Sequence, residues 1–190
     1  MSNKITWRGG TLIAPVPPVM VSLGSMESPN ILTIAWTGII NSIPPKTYIS
    51  VRPERFSYNI LKESMEFVIN LPTSNQVRAV DFCGVKSGKD NDKFKLMRLT
   101  PKQSTRVSAP MIEECPINLE CRVSDLIELG SHTMFIADIL AVNVSEEYVD
   151  KNDKLWIDKC DLLAYAHGEY FRLGDKVGSF GFSVRKKKKR

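Results

Sequence analysis

The chain has 190 residues, with 26 Lys+Arg against 21 Asp+Glu and a formal charge of +5. The six C-terminal residues, Arg185 to Arg190, are all basic; without them 20 positive side chains stand against 21 negative ones, so the body lacks the basic excess that a nucleic-acid backbone demands. Hydrophobic content of 43% and charged content of 25% exclude wholesale disorder, and the longest apolar stretch, Ile31 to Ile40, is too short to cross a bilayer as a helix, which takes about 20 residues.

Length predicts one domain over residues 1–184, followed by a solvated, disordered basic tail over 185–190. Met1 to Trp7 lacks a basic region leading into an apolar run. Thr11 to Leu23 is interrupted by Pro15, Pro17 and Pro18, so no secretory signal is read and a cytoplasmic location is expected. The four cysteines, Cys83, Cys115, Cys121 and Cys160, form no Cys-x-x-Cys pair, and the two histidines are His132 and His167. No spacing matches a zinc site, and reduced cysteines, some of them buried, are expected.

Strands dominate in chain order. Val19 to Leu23 is a short apolar strand ended by Gly24. Ile31 to Ile40 reads as one strand entered from the turn Ser28-Pro29-Asn30. Tyr48 to Val51 follows the break at Pro44-Pro45. Ser57 to Met65 places Ile60, Leu61 and Met65 at helical spacing, and Glu66 to Leu71 is a strand ended by Pro72. Asn75 to Phe82 and Asn91 to Met97 read as short helices, the first stopped by Gly84. Ile117, Leu119, Cys121 and Val123 alternate with polar neighbours, the period of a half-buried antiparallel strand. His132 to Val144 is apolar on both faces, as in a central strand, and Leu162 to Ala166 and Glu169 to Leu173 are shorter strands around Gly168. Many strands with few helices and no strand–helix alternation predict a mainly β barrel or sandwich.

Several catalytic signatures fail on spacing. Gly84 to Asp90 resembles a phosphate-binding P-loop, but three residues separate Gly84 from Gly88 where four are needed, and Asp90 stands where a Ser or Thr must bind magnesium. A dinucleotide glycine fingerprint and a Gly-x-Ser-x-Gly elbow are both absent. What remains is three segments rich in small polar groups, aromatic surface and single cations. Asn30 to Ile39 ends in Trp36-Thr37-Gly38. Ser50 to Ser57 sets Arg52 at a strand end and a hydroxyl at a helix start, a pairing suited to phosphate. Ser87 to Phe94 is a donor-rich loop leading into a helix.

These segments, in their order, resemble the flavin reductase-like family of FMN-binding split barrels, in particular its flavoredoxin-type branch. The resemblance rests on Pro15 to Pro18, Asn30 to Trp36, Ile49-Ser50-Val51-Arg52-Pro53 after Pro44-Pro45, and Phe67 to Pro72. It continues through Ser87-Gly88, Asp92-Lys93-Phe94, Leu119-Glu120-Cys121 and Gly168 to Gly174, covering roughly residues 10–182. It implies an antiparallel Greek-key split barrel with a few flanking helices, non-covalent FMN, and a homodimer with the flavin near the subunit interface. It also implies electron transfer, with NAD(P)H or a redox protein as donor; no membrane partner is expected, since the apolar stretches are too short. Carried over residue by residue, Asn30, Trp36, Thr37 and Gly38 lie along the isoalloxazine ring, Arg52 and Ser57 serve the phosphate, Ser87, Gly88 and Lys93 close the site, and Tyr170 or Phe171 covers the ring.

Each of these residues has a plainer reading. Trp36 in an apolar strand is more often core, and the resemblance reverses that preference. Ser57 reads equally as a helix cap, Arg55 as a surface charge, Cys121 as core packing, and His132 as a surface or dimer contact. Cys83, beside Gly84, is a candidate reactive thiol. The alternative reading of another class is a nucleic-acid-binding Greek-key barrel with a basic tail, which requires aromatic and basic residues interleaved on adjacent strands.

Overall fold

Val19–Gly24 forms β1 and is buried on both faces, which explains an apolar run without alternation. Val19, Val21 and Leu23 point into one core and Met20 into another. The chain turns back at Gly24, whose φ of +87° and whose missing Cβ, which would lie 2.3 Å from the Ser28 carbonyl oxygen, both require glycine. Pro29–Ile34 then pairs antiparallel with it as β2. This geometry comes from a computed structural model that describes residues 3–185, so the expected tail over 186–190 lies outside the described residues.

The single strand expected over Ile31 to Ile40 is two. β2 ends at Ile34, Ala35 and Trp36 cross over, and Thr37–Ser42 forms β3. The seven-stranded sheet starts at β2 and β1, continues through Glu66–Leu71, Ile117–Glu128, Thr133–Val144 and Pro45–Val51, and ends at β3, so these consecutive strands are its two opposite edges. Two linking residues reach no more than about 11 Å between the flanking Cα atoms. The edges therefore approach each other, and the sheet curls into a barrel that stays split between β2 and β3. The break carries no Gly or Pro, so nothing in the local sequence announces it.

The rest of the sheet is built from Pro45–Val51 (β4), Glu66–Leu71 (β5), Ile117–Glu128 (β8) and Thr133–Val144 (β9), all in antiparallel pairs. Helix α1, Phe56–Ser64, contributes Tyr58 and Leu61 to the barrel core beside Ile49, Phe67 and Phe135. A second core lies outside the barrel. There Val77–Val85 (α2) and Lys93–Met97 (α3) cover Met20 and Ile31 with Val80, Cys83 and Phe94.

Helix α2 starts two residues later than the spacing predicts, because Thr73 and Gln76 cap a 3₁₀ turn over Ser74–Gln76 ahead of it. It also runs past Gly84, which is not a stop. A Cβ at Gly84 would lie 3.3 Å from Thr33 Cβ, so the residue is small to let the helix approach β2. Two minor ladders complete the fold: Pro101–Lys102 (β6) with Met111–Ile112 (β7), and Leu163–Ala166 (β10) with Glu169–Arg172 (β11). The second is a hairpin turned by His167 and Gly168, both at positive φ as a type I′ turn requires. Reciprocal backbone bonds between Val16 and Tyr165, of 2.9 and 2.8 Å, fasten this hairpin to the chain before β1.

Candidate functional site

The split in the barrel opens into a cleft of about 390 Å³, within the usual range for small-molecule sites. The β2–β3 crossing supplies Trp36, the end of β4 supplies Arg52, the start of α1 supplies Arg55, and α2 supplies Asp81 and Gly84. The β10–β11 hairpin adds Tyr165 and Tyr170, and His132 enters from the start of β9. A larger concavity of about 500 Å³ between α2 and α3, with Arg78 and Arg98 on its walls, holds none of the residues singled out by sequence.

One end of the cleft is cationic. Arg55 is the N-cap of α1 and makes no side-chain cap bond, and no acidic residue occupies the first turn. The first amides of α1 therefore keep their free donors and the positive end of the helix dipole. Arg55 Nη1 donates to the Gly84 carbonyl at 3.0 Å. The exposed Arg52 guanidinium makes no ion pair or side-chain hydrogen bond among the described residues. Ser57 is buried at the second position of α1 and is not the cap; its hydroxyl accepts from Asn30 Nδ2 at 2.9 Å. Gly88 lies over that pair so closely that a Cβ would fall 2.1 Å from Asn30 Oδ1.

The wall of the cleft is aromatic. The Trp36 and His132 rings lie 4.3 Å apart between centroids at an interplanar angle of 34°. Burial lowers the His132 pKa from its ordinary 6.5, the Arg52 charge lowers it further, and Glu54 partly opposes both. The far side carries Asp81, whose Oδ1 accepts from the Tyr170 hydroxyl at 3.4 Å. Burial first, and the neighbouring Asp81 second, push the Tyr170 phenol up to about 12, so it remains a donor.

Of the sequence-predicted residues, Trp36, Arg52 and Tyr170 line this cleft, and Asn30, Ser57 and Gly88 form one cluster at the α1 terminus. The Thr37 hydroxyl is engaged by the Tyr48 carbonyl at 2.6 Å, and Gly38 packs against the Tyr48 ring. Ser87 shapes its own loop, accepting from the Lys89 amide and the Asn91 side chain. Phe171 alternates with Tyr170 on β11, so it faces the opposite side and is half exposed. Lys93 is buried, and its ammonium donates to the carbonyls of Ile31 at 2.7 Å and Cys83 at 2.9 Å, tying β2 to α2 beneath the cleft. Burial pulls its pKa down to about 8, with Cys83 opposing and Arg55 reinforcing that shift.

Sequence reasoning did not assign Thr33, Asp81 or Tyr165 to the cleft, and it read Arg55 as a surface charge and His132 as a surface or dimer contact. Arg55 was recoverable from its place one turn after Arg52 ahead of a helix. Asp81 carries no such signal, because a mid-helix carboxylate is ordinarily solvated. The reactive thiol considered for Cys83 is overturned: the residue is fully buried, and burial pushes its thiol up to about 11 against the opposing Lys93 charge. Cys121 packs in the barrel core as its strand face predicts. Among the described residues no group of three His, Cys, Asp or Glu could hold a metal, and no helix is long and apolar enough to cross a membrane.

A flat aromatic wall next to a cluster of phosphate-type donors suits a ring that carries a phosphate. The chain has relatives among known proteins. A family profile described as the flavin reductase like domain matches residues 13–174. The flavoredoxin of Desulfovibrio vulgaris (Miyazaki F) is similar at 31% identity and a TM-score of 0.89, over 96% of this chain and 100% of that one. The flavoredoxin of Methanosarcina acetivorans is similar at 28% identity and a TM-score of 0.86, over 97% and 100% of the two chains. An uncharacterized protein of Archaeoglobus fulgidus is 33% identical over 128 residues, 67% of this chain and 72% of that protein.

Proposed function

The chain belongs to the flavin reductase like domain family, and from that premise we propose that it is a flavoprotein oxidoreductase whose cleft holds FMN without a covalent bond. The supporting observation is the cationic end of the cleft. Arg52 and Arg55 line it together with Trp36 and His132, and the uncapped amides of α1 follow Arg55 directly in the chain, with Ser57, bonded to Asn30, at the second helical position. A dianionic phosphate needs charge-assisted donors, and a fused ring system needs flat apolar walls. This end of the cleft is also what favours FMN over a flavin without phosphate.

When bound, the flavin accepts and delivers electrons as a hydride or singly. The chain's own residues bind and orient it. Arg52, Arg55 and Ser57 hold the phosphate end, with Asn30 set by Ser57 and by the Gly88 loop. Ser87 and Gly88 bound the site from that loop, and Lys93 holds β2 and α2 at a fixed spacing beneath it. Trp36 and His132 wall the ring, the Thr37–Gly38 backbone continues that wall, and Tyr170 faces it from the hairpin with Phe171 behind. No side-chain acid or base is needed for hydride delivery to a flavin, and none is assigned. NAD(P)H or a reduced redox protein is the electron donor, the working form is a cytoplasmic homodimer, and residues 1–184 act as one binding unit.

Purified protein should be yellow, with flavin absorption bands that stay with it through gel filtration. Colourless protein that takes up no added FMN overturns the proposal. Flavin that reduces with NAD(P)H but separates on the column makes it a diffusing substrate instead. Anaerobic reduction by NADH, NADPH and a reduced ferredoxin in parallel identifies the donor.

A further inference from the structure

The concavity between α2 and α3 shares no residue with the cleft beside Trp36. Its volume of about 500 Å³ is within the range of small-molecule sites and exceeds what a bare inorganic ion fills. Buried Ala79 and Leu99 and half-buried Met97 give it an aliphatic floor. Leu96, 51% exposed, adds an uncovered aliphatic side chain.

Its cations have no partners inside the chain. Arg78 lies in the first turn of α2 and Arg98 directly follows α3, and neither guanidinium makes an ion pair or side-chain hydrogen bond among the described residues. No acidic residue occupies the first turn of α2, so the positive end of its dipole adds to Arg78. Arg98 holds φ of 55° and ψ of 44°, a left-handed conformation that glycine adopts at lower cost. Its guanidinium meets no anion among the described residues that would offset that cost. Glu114 also lines the groove, but both its oxygens accept from the Thr100 amide at 3.0 Å, and one accepts from the Thr100 hydroxyl at 2.7 Å. Two guanidiniums against one carboxylate leave the lining with a net charge of +1. That balance suits a monoanion, whereas a dianionic phosphate would carry charge in excess beside Glu114.

We propose that this groove is a second ligand site, which binds a carboxylate carried on an aliphatic body. Arg78 and Arg98 hold the carboxylate, since planar forks of N–H donors match its two oxygens. Ala79, Met97 and Leu99 take the aliphatic body out of water. Gln76 is committed to the Thr73 amide and to Cys115, so it shapes the groove without binding. The two sites have no residue in common, so this inference does not rest on the flavin reading.

Octanoate is the probe, with octanol as its uncharged counterpart and inorganic phosphate as the bare anion. Met97 reports from the groove itself. In protein isotope-labelled at its methionine methyls, the Met97 resonance, identified by its loss in Met97→Leu, should move with octanoate and much less with octanol or phosphate at equal concentration. Arg78→Gln and Arg98→Gln, both at exposed positions, should each weaken octanoate binding roughly 10-fold. Arg98→Gly should weaken it as much without lowering the urea midpoint, because glycine accepts the left-handed conformation. Saturating FMN should leave the octanoate titration unchanged. A Met97 resonance that stays in place, equal shifts with octanol, tighter binding of phosphate, an affinity untouched by both arginine substitutions, or displacement by FMN overturns the proposal. Protein that binds octanoate in this way and takes up no FMN would sink the flavin reading and leave this one standing.

Discussion

Trp36 and His132 stack 4.3 Å apart between ring centroids, although one sits at the β2–β3 crossing and the other at the entry to β9. The pair forms the aromatic wall of the cleft, and Trp36 remains 44% exposed, so its removal takes little from the core, and under the proposed FMN reading what it takes is ligand contact. Trp36→Ala should weaken FMN binding roughly 10-fold to 100-fold while the urea midpoint of the apoprotein moves little. Fluorescence titration with FMN and parallel unfolding curves check it; a large loss of stability with unchanged affinity would show that the ring serves the core instead.

His132 titrates below its ordinary value because burial, and then the Arg52 charge, disfavour the imidazolium. A group with a lowered folded pKa leaves its stabilising contribution intact above pH 6.5 and withdraws it as pH falls through the folded value. An NMR titration of the His132 ring should give a midpoint below 6.5, and Arg52→Gln should move it upward. A midpoint at or above 6.5 in the wild-type chain contradicts the geometry.

Arg52→Gln also tests the phosphate end. Removing one charge-assisted hydrogen bond costs about 1.5–3 kcal/mol, or roughly a 10-fold to 100-fold drop in FMN affinity. Riboflavin, which lacks the phosphate, should bind the variant and the wild type alike. Calorimetric titration with both flavins makes the comparison, and equal losses for the two would place Arg52 away from the phosphate.

Gly88→Ala forces a methyl group to within 2.1 Å of Asn30 Oδ1 unless Asn30 moves, and Asn30 cannot move without leaving Ser57. The substitution should cost about 1–3 kcal/mol of stability and weaken FMN binding together with it. Gly174→Ala, where a Cβ meets open space, is the matched control and should be silent. The readouts are urea unfolding and FMN titration of the two variants side by side.

Burial raises the thiol pKa of Cys83 to about 11 and those of Cys115 and Cys121 to about 12, against an ordinary value of 9. Groups with raised folded pKa values contribute stability in full below pH 9 and lose it as pH rises toward the folded values. Lys93 acts in the opposite sense from about pH 8 upward and offsets one thiol. Stability should therefore fall by about 2 kcal/mol between pH 9 and pH 10, and Cys121→Ala should flatten that fall. Urea unfolding across this range checks it, and a flat profile for the wild type would contradict the burial of these thiols.

Local pattern was enough for most elements. The alternation from Ile117 to Val123, the apolar run before Gly24 and the spacing of Leu61 and Met65 each report a strand or helix, because burial on one face writes its period into the chain. Local chemistry also picked out Arg52 and the hydroxyl of Ser57 as suited to phosphate, whereas Trp36 and Asn30 were marked only through the family resemblance. The break at Ala35–Trp36 was illegible, because both halves are strands and the curl that separates them comes from the whole sheet. For the same reason His132 read as a surface or dimer contact and Asp81 was not singled out. Nothing within a few positions of either says that β9 brings His132 against Trp36, or that α2 sets Asp81 under Tyr170. Sequence by itself determined most of the strands, the order of the donor-rich segments and the near-neutral body, which are properties of neighbouring residues. Tertiary structure alone decided which donors share a cleft and what stays uncovered, because those depend on where distant segments meet when the sheet closes on itself.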